Sequence, residues 1–468
     1  MTTSPSVPYQ SSTVNGWATF AVPLAGAAES MLRSSPNVAE AAPDPLPTPP
    51  LLSLNPSWVQ PLNGPAAGAR GRGEAEGFLL PADLSQVVAP GSPIRADLRL
   101  SPEALGDTLA VLPVAYDGEY FYLAGRPVWR DEQEATTREA NRVQVEVTRL
   151  PDLTAAPPAA ASAERLRFNV WRGIKLGFFK LVGIPTPELG LRVPSVASGK
   201  VTYRVVANGE LGQGRVALLV HGFLSDTGWM AQALLGPLRS AGYAHVVTWD
   251  YETFTSPIRA TLQGLTDALH AAGVASGSGR VDVIAHSMGS LVSRSLIAQQ
   301  PALGLVRRGL LIGAPNAGTP IAGVGDAVTE LASSLINVSN PLASISLRAL
   351  VSFLWHRIDR GLADLQEKSD LTTWINGNPV GQAAPLTLLV GDAAADPLRT
   401  AFQRALHVAT DLFYGGPNDL VVPVASMKAV ATPPYPDVVA QDVPSNHFDY
   451  LISGRPARAV VDKWIVTP

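Results

Sequence analysis

The stretch from Arg280 to Gln299, R-V-D-V-I-A-H-S-M-G-S-L-V-S-R-S-L-I-A-Q, restricts the fold more than any other. Val281, Val283 and Ile284 form a short β-branched run of the kind that makes a buried parallel strand. The chain then turns through Ala285, His286, Ser287, Met288 and Gly289, after which Met288, Leu291, Val292, Ser295 and Leu296 recur at helical spacing. The expected structure is strand, tight turn, helix, with Ser287 at the apex. Small residues two before and two after the serine, Ala285 and Gly289, suit such a turn, because strand and helix backbones must pass close together while the serine takes a strained conformation. An ordinary helix N-cap would also place a serine here, so the neighbouring sequence decides.

That neighbourhood alternates. T-Y-R-V-V-A after Lys200 reads as an edge strand and R-V-A-L-L-V as a buried one, running directly into His221-Gly222-Phe223 and then a helix from Gly228 to Ser240. H-V-V-T-W-D follows as a strand, a helix runs through Ala260 to Ala271, and beyond the Ser287 turn G-L-L-I-G-A-P-N-A-G-T-P is another strand ending in a turn. Strand and helix succeed one another at the pace of a doubly wound, mostly parallel α/β sheet.

The A-H-S-M-G turn resembles the nucleophile elbow of the α/β-hydrolases, with Ala in place of the first Gly, a variant that looks like several bacterial lipases. A strand leading into H-G-F and then a helix resembles the oxyanion loop of many lipases, and G-A-P-N-A-G-T-P resembles a loop of GPI-inositol deacylase-like and bacterial triacylglycerol lipases. The resemblance covers roughly Lys200 to the C-terminus. It implies an α/β-hydrolase fold, a triad ordered Ser, acid, His along the chain, and backbone N–H groups of Phe223 and Met288 as oxyanion donors, with His221 structural. For the base it points to His447, in V-P-S-N-H-F-D-Y-L before a C-terminal helix; His356 and His407 sit inside helical patterns. Two acids compete. Asp419 in Y-G-G-P-N-D-L-V-V-P-V resembles the N-D-G-x-V segment of the bacterial lipases, with Leu420 replacing the usual Gly, and is favoured; Asp392 closes L-T-L-L-V-G-D, where a generic α/β-hydrolase carries its acid. Asp396 comes third, and Asp449 reads as a local loop or cap residue.

The remainder of the chain supplies context. From residue 1 to 74 it is rich in Pro, Ala, Ser and Gly and reads as a low-complexity tail or linker, with Trp17, Phe20 and Trp58 available to dock on a neighbouring surface. Residues 75–152 alternate as a small β-rich domain, with a hairpin signal at Tyr116-Asp117-Gly118-Glu119. Residues 153–199 read as a linker and a basic amphipathic segment carrying Arg165, Arg167, Arg172, Lys175 and Lys180. Its two readings are a transient lipid-surface contact and a helix packed on its own domain. The catalytic domain is expected over 200–468, interrupted at 321–376 by helical patterns around Val324 to Val338 and Pro341 to Ile358 that read equally as lid or core.

A net charge of -4 and a pI near 6.0 argue against a nucleic-acid partner. With no cysteine and no H-E-x-x-H spacing, neither a metal nor another cofactor is implied. The N-terminus has no basic n-region, and the apolar run Trp17 to Ala28 is broken by Pro23, so the expectation is a soluble, cytoplasmic protein. The function expected is a serine hydrolase acting on an acyl ester or lipid; an acyltransferase or amidase on the same site, and a catalytically silent interaction module, are the alternatives.

Overall fold

In the computed structural model the described residues are 9–14, 18–23, 44–53, 58–62, 74–80, 93–99, 108–117, 120–125, 127–129, 142–148, 174–182, 189–223, 225–253, 257–298, 304–320, 333, 336–337, 361–377, 384–396, 414–430 and 437–467. They fall into two units: Met1–Pro185 with Thr329–Ser339, and Thr186–Val328 with Asn340–Pro468.

The first unit contains β1 (Tyr9–Val14), β2 (Ala18–Pro23), β3 (Asp44–Pro47), β4 (Val59–Pro61), β5 (Glu74–Leu80), β6 (Ile94–Arg99), β7 (Thr108–Tyr116), β8 (Phe121–Leu123), β9 (Val128–Trp129), β10 (Arg142–Val147) and β11 (Ile174–Val182). β1-β2-β6-β10 form one antiparallel sheet; β3-β5-β11-β7-β8 form the path of a second, with β4 on β11 and β9 on β7. Strict alternation in I-R-A-D-L-R and R-V-Q-V-E-V turns Ile94, Ala96, Leu98, Val143, Val145 and Val147 inward, where they share a core with Phe20, Phe78, Leu176 and Phe178. Phe78 meets Phe20 and Phe178 edge-on, with ring centroids 5.1 and 6.0 Å apart. The hairpin expected at Tyr116 is present as β7 paired with β8, Tyr116 opposite Phe121.

Two expectations change here. The stretch read as a tail over 1–74 supplies β1 to β4 and the first residue of β5. Its prolines hid them: Pro45 and Pro47 lie in β3, at the end of its sheet, and Pro23 closes β2, positions where a missing N–H costs a strand little. The segment read as basic and amphipathic contains no helix among its described residues but β11, interior to its sheet. Ile174, Leu176 and Phe178 face the shared core, Phe179 and Leu181 are buried on the other side, and Lys175 and Lys180 stay half-buried. Burial holds the Lys180 amine below its usual range. The linker boundary at 199 moves too, because the second unit's sheet begins at Gly190.

The second unit carries one sheet of eight strands, β12 (Gly190–Ala197), β13 (Lys200–Val205), β14 (Val216–Val220), β15 (His245–Asp250), β16 (Val281–His286), β17 (Val306–Ile312), β18 (Leu386–Gly391) and β19 (Val438–Val443), in the order β13-β12-β15-β14-β16-β17-β18-β19. β12 runs antiparallel to both neighbours and every other pairing is parallel. The unit is mixed α/β with a large, mostly parallel sheet. The helices Gly228–Ser240 and Pro456–Val466 bury Met230, Leu234, Leu238, Val461 and Ile465 against Ala217, Leu219, Ile284, Leu310 and Leu389. Ile258–Ala271 and Met288–Ala298 pack on each other. β14 and β16 are buried at every residue, which is why both read as apolar runs rather than alternations.

β16 is anchored at its start by the fully buried Asp282. Arg307 Nε donates to its carboxylate at 2.7 Å, Arg308 Nε at 3.0 Å and Tyr243 Oη at 2.5 Å, with Arg215 at 3.3 Å. Burial pushes that carboxyl up, and the arginines and Tyr243 outweigh it and hold it below its usual range. The long helical patterns at Val324–Val338 and Pro341–Ile358 lie outside the described residues, apart from 333, 336 and 337. Those three are in the segment grouped with the first unit, where Asn337 takes the N–H of Phe121 on Oδ1 at 3.0 Å and donates Nδ2 to its carbonyl at 2.8 Å. Among the described residues no helix is long and apolar enough to cross a membrane.

Candidate active site

Parallel pairing brings the carboxyl ends of β14, β16, β17, β18 and β19 side by side along one edge of the sheet. His221-Gly222-Phe223, Ser287, Gly313, the Asp419 segment and His447 each follow one of these strands, so the topology gathers them at one end.

Ser287 lies between β16 and the helix Met288–Ala298 with φ +51, in the left-handed region, at a cost of about 1–3 kcal/mol. Its N–H donates to Ile312 at 2.8 Å and its carbonyl accepts from Ser290 at 2.9 Å, so the strain is held from both sides. A Cβ on Gly289 would stand 2.6 Å from the Val220 carbonyl oxygen and would overlap that of His221. A Cβ on Gly222 would stand 2.6 Å from Ser287 Cβ. Gly289→Ala is therefore expected to destabilise the fold by about 1–3 kcal/mol or more, since backbone carbonyls cannot rotate away as a side chain can. Urea unfolding measures it, and an unchanged midpoint would show that the crossing has room.

His221 fixes the loop beside the serine. Its Nδ1 lies 2.8 Å from the Gly222 carbonyl, and its Nε2 accepts the Tyr251 N–H at 3.2 Å, which together put the proton on Nδ1. Tyr251 stacks on the imidazole, centroids 4.5 Å apart, and donates Oη to the His221 carbonyl at 2.9 Å. Because a trans peptide is planar, pinning the Gly222 oxygen turns the Phe223 N–H to the opposite side. Met288 opens its helix, so its N–H has no intrahelical carbonyl to bond.

Asp419 is fully buried and its carboxylate takes four donors. Val421 and Val422 N–H reach Oδ1 at 3.1 and 2.8 Å; His447 Nδ1 and Tyr450 Oη reach Oδ2 at 2.7 and 2.8 Å. The N–H of His447 also bonds the Asp419 carbonyl at 2.8 Å. Leu420, standing where the resembling segment has Gly, has φ +82 and is held by its N–H to Asn418 Oδ1 at 2.9 Å. Gly313, with φ +57, faces the pair closely enough that a Cβ would be 3.1 Å from both Asp419 Oδ2 and His447 Nδ1. His286, next to the serine, donates Nε2 to the His447 carbonyl at 3.0 Å and packs its ring 4.6 Å from that of His447. Burial, and then the nearby His447, push the His286 imidazole well below its usual range, so it stays neutral. Ser287 Oγ has no hydrogen-bond partner among the described residues, a looseness common to free sites. Of the other acids, Asp392 accepts from the Ala394 N–H at 2.9 Å and Asp396 from Arg455 at 2.8 Å. The structure brings Asp419, and neither of these, to His447.

A family model described as Domain of unknown function (DUF7379) matches residues 197–461, more than half the chain. The chain belongs to the DUF7379 family. No curated protein matches it. Among solved structures it is similar to the phospholipase PlaB from Legionella pneumophila, at 14% identity and a TM-score of 0.39, over 55% of this chain and only 60% of that one. It is also similar to the Bacillus licheniformis lipase BlEst2 in mature form, at 18% identity and TM-score 0.37, over 56% of this chain and 96% of that one. A third is EstA from Clostridium botulinum, at 14% identity and TM-score 0.40, over 60% and 91%.

Within the DUF7379 segment, Asp449 ties down the loop bearing His447. Its carboxylate accepts from Ser445 Oγ at 2.5 Å, from Asn446 N–H at 2.9 Å and Nδ2 at 2.8 Å, and pairs with Arg455 at 2.9 Å. Burial pushes its carboxyl up from 3.8 to about 6, against the pull of Ser445 and Arg455 and helped by the charge of Asp396. A carboxyl raised on folding contributes stability that is fully present below its unfolded value and is lost as pH rises through about 6. Unfolding free energies of wild type and Asp449→Asn should therefore diverge by up to about 3 kcal/mol between pH 4 and 7, wild type losing the stability. Parallel pH curves would rule the shift out.

The DUF7379 segment also ties the helix after Ser287 to the Asp419 segment. Arg294 is fully buried, donating to Asn316 Oδ1 at 3.1 Å and Asn376 Oδ1 at 2.8 Å. Asn316 donates Nδ2 to Met427 at 2.5 Å, Thr319 bonds the Val421 carbonyl at 2.6 Å and Ser426 the Gly318 carbonyl at 2.6 Å. The turn G-A-P-N-A-G-T-P thus grips the segment that carries Asp419. Sequence reading singled out this turn but not Arg294, His286 or Tyr450. For Arg294 no sequence signal existed: it falls outside the apolar stripe of Met288, Leu291, Val292, Ser295 and Leu296, and only the structure shows its helix buried on every side.

Proposed function

We propose that this chain is a serine hydrolase of carboxylic esters, lipid or other acyl esters among them, on an α/β-hydrolase fold. The observation that carries the reading is the buried Asp419–His447 pair, 2.7 Å apart, held through His286 against the strained Ser287 turn.

In this reading Ser287 Oγ attacks the acyl carbonyl as His447 takes its proton, forming an acyl-enzyme; His447 then returns the proton to the leaving alcohol. Asp419 receives the Nδ1–H of His447 and so keeps Nε2 free to accept, while the Val421 and Val422 N–H groups fix the carboxylate. The N–H groups of Phe223 and Met288 receive the oxyanion, at about 3 kcal/mol per donor. Water then repeats the sequence and frees the acid.

The test is hydrolysis of p-nitrophenyl esters from short to long acyl chains, wild type beside Ser287→Ala, with and without detergent micelles. Ser287-dependent turnover supports an ester hydrolase, and its rise with chain length and micelles would assign lipid esters. Competition by added alcohol separates transfer from hydrolysis. Absence of Ser287-dependent turnover together with absence of fluorophosphonate labelling at Ser287 would overturn the reading.

A further inference from the structure

The acid's fourth donor has a seat built for it. Tyr450 is fully buried, three residues past His447, and its Oη donates to Asp419 Oδ2, the same oxygen that faces His447 Nδ1. Two glycines clear the space. A Cβ on Gly391 would overlap Tyr450 Oη and stand 2.7 Å from the Ser445 carbonyl, and a Cβ on Gly313 would stand 3.1 Å from Tyr450 Cε2. Met427 Sδ lies 3.7 Å from the same hydroxyl. Gly391 ends β18, one residue before Asp392, so the hydroxyl lies at this strand end.

We propose that Tyr450 is a positioning residue of the site, sharing Asp419 Oδ2 with His447 and setting how strongly the carboxylate holds the imidazole; this rests on the serine hydrolase reading above. The hydroxyl fixes Oδ2 in space, as the two valine amides fix Oδ1, so the acid cannot rotate away from Nδ1. Burial raises the phenol well above its usual range, so it remains a donor throughout the working pH range.

Tyr450→Phe in the full chain keeps the ring and deletes only the hydroxyl. Two readouts are taken. The first is the low-field proton resonance of His447 Nδ1–H, observed with or without catalysis, which should move upfield as the carboxylate, no longer held at Oδ2 by the hydroxyl, turns from Nδ1. The second is the rate of fluorophosphonate labelling of Ser287, which should fall about 10-fold while substrate KM stays within twofold, a kcat effect rather than a binding one. An unmoved resonance, or labelling within twofold of wild type, would overturn the assignment. If wild type itself is not labelled, the hydrolase reading fails, and the resonance still decides whether Tyr450 shares the acid.

Discussion

Under the proposed mechanism, Ser287→Ala is expected to lower ester turnover by about 10⁴- to 10⁶-fold, with residual activity from the proposed Phe223 and Met288 donors alone. The fold should scarcely notice. Ser287 Oγ has no hydrogen-bond partner among the described residues, its N–H bond to Ile312 survives the change, and alanine meets the same φ penalty as serine. Unfolding free energy should thus stay within about 0.5 kcal/mol of wild type. Single-turnover burst kinetics make the comparison clean, because the burst counts competent serines. Substantial Ser287-independent turnover in the purified variant would place the chemistry elsewhere.

The second large effect separates the two acids. In Asp419→Asn the amide oxygen is required at Oδ1, where the Val421 and Val422 N–H groups point, so the NH₂ faces His447 Nδ1. A donor there forces Nδ1 to accept and moves the imidazole proton to Nε2, the nitrogen that takes the serine's proton in the proposed mechanism. The expected loss in kcat is about 10³- to 10⁴-fold, with ester KM little changed. Asp392→Asn should stay within about twofold, since that carboxylate is engaged with the Ala394 N–H and not with the base. Equal losses at both positions would mean that Asp392 also serves the base.

Much of the second unit was legible in the sequence because its signals are local. The run V-D-V-I followed by A-H-S-M-G and a helical stripe carries strand, turn and helix within twenty residues, and the structure gives Ser287 the positive φ that the small neighbours implied. The helix Gly228–Ser240 has the bounds its periodicity gave. The first unit was harder. β3 is D-P-L-P, whose residues carry no strand propensity, and it pairs only because β5 offers an edge in space. β11, I-K-L-G-F-F-K-L-V, is buried on both faces with two lysines interrupting it, so its period of two is blurred into an apparent amphipathic helix.

The site divides in the same way. Asp419 and His447 were singled out through their flanking segments, but their mutual distance depends on pairing of β18 with β19, which no local pattern encodes. Tyr450 reads in sequence as one aromatic after F-D, and only the gap left at Gly391 distinguishes it from core packing. Arg294 is similar: its acceptors Asn316 and Asn376 lie 22 and 82 residues away.

Asn337 closes both polar groups of Phe121 on β8, the last strand of its sheet path, from 216 residues further along the chain. During synthesis β8 is therefore made long before its cover exists. An exposed edge invites pairing with whatever strand comes near, including the same edge on a neighbouring nascent chain. The eight-stranded sheet's first strands must emerge while that edge stands open, and the loop that finally closes it spans nearly half the protein. Truncating the gene after residue 185 would leave the amino-terminal strands permanently in this unfinished state, without Asn337, without Ser333, whose hydroxyl takes the Leu123 N–H, and without the buried Ile336, so such a fragment is expected to aggregate.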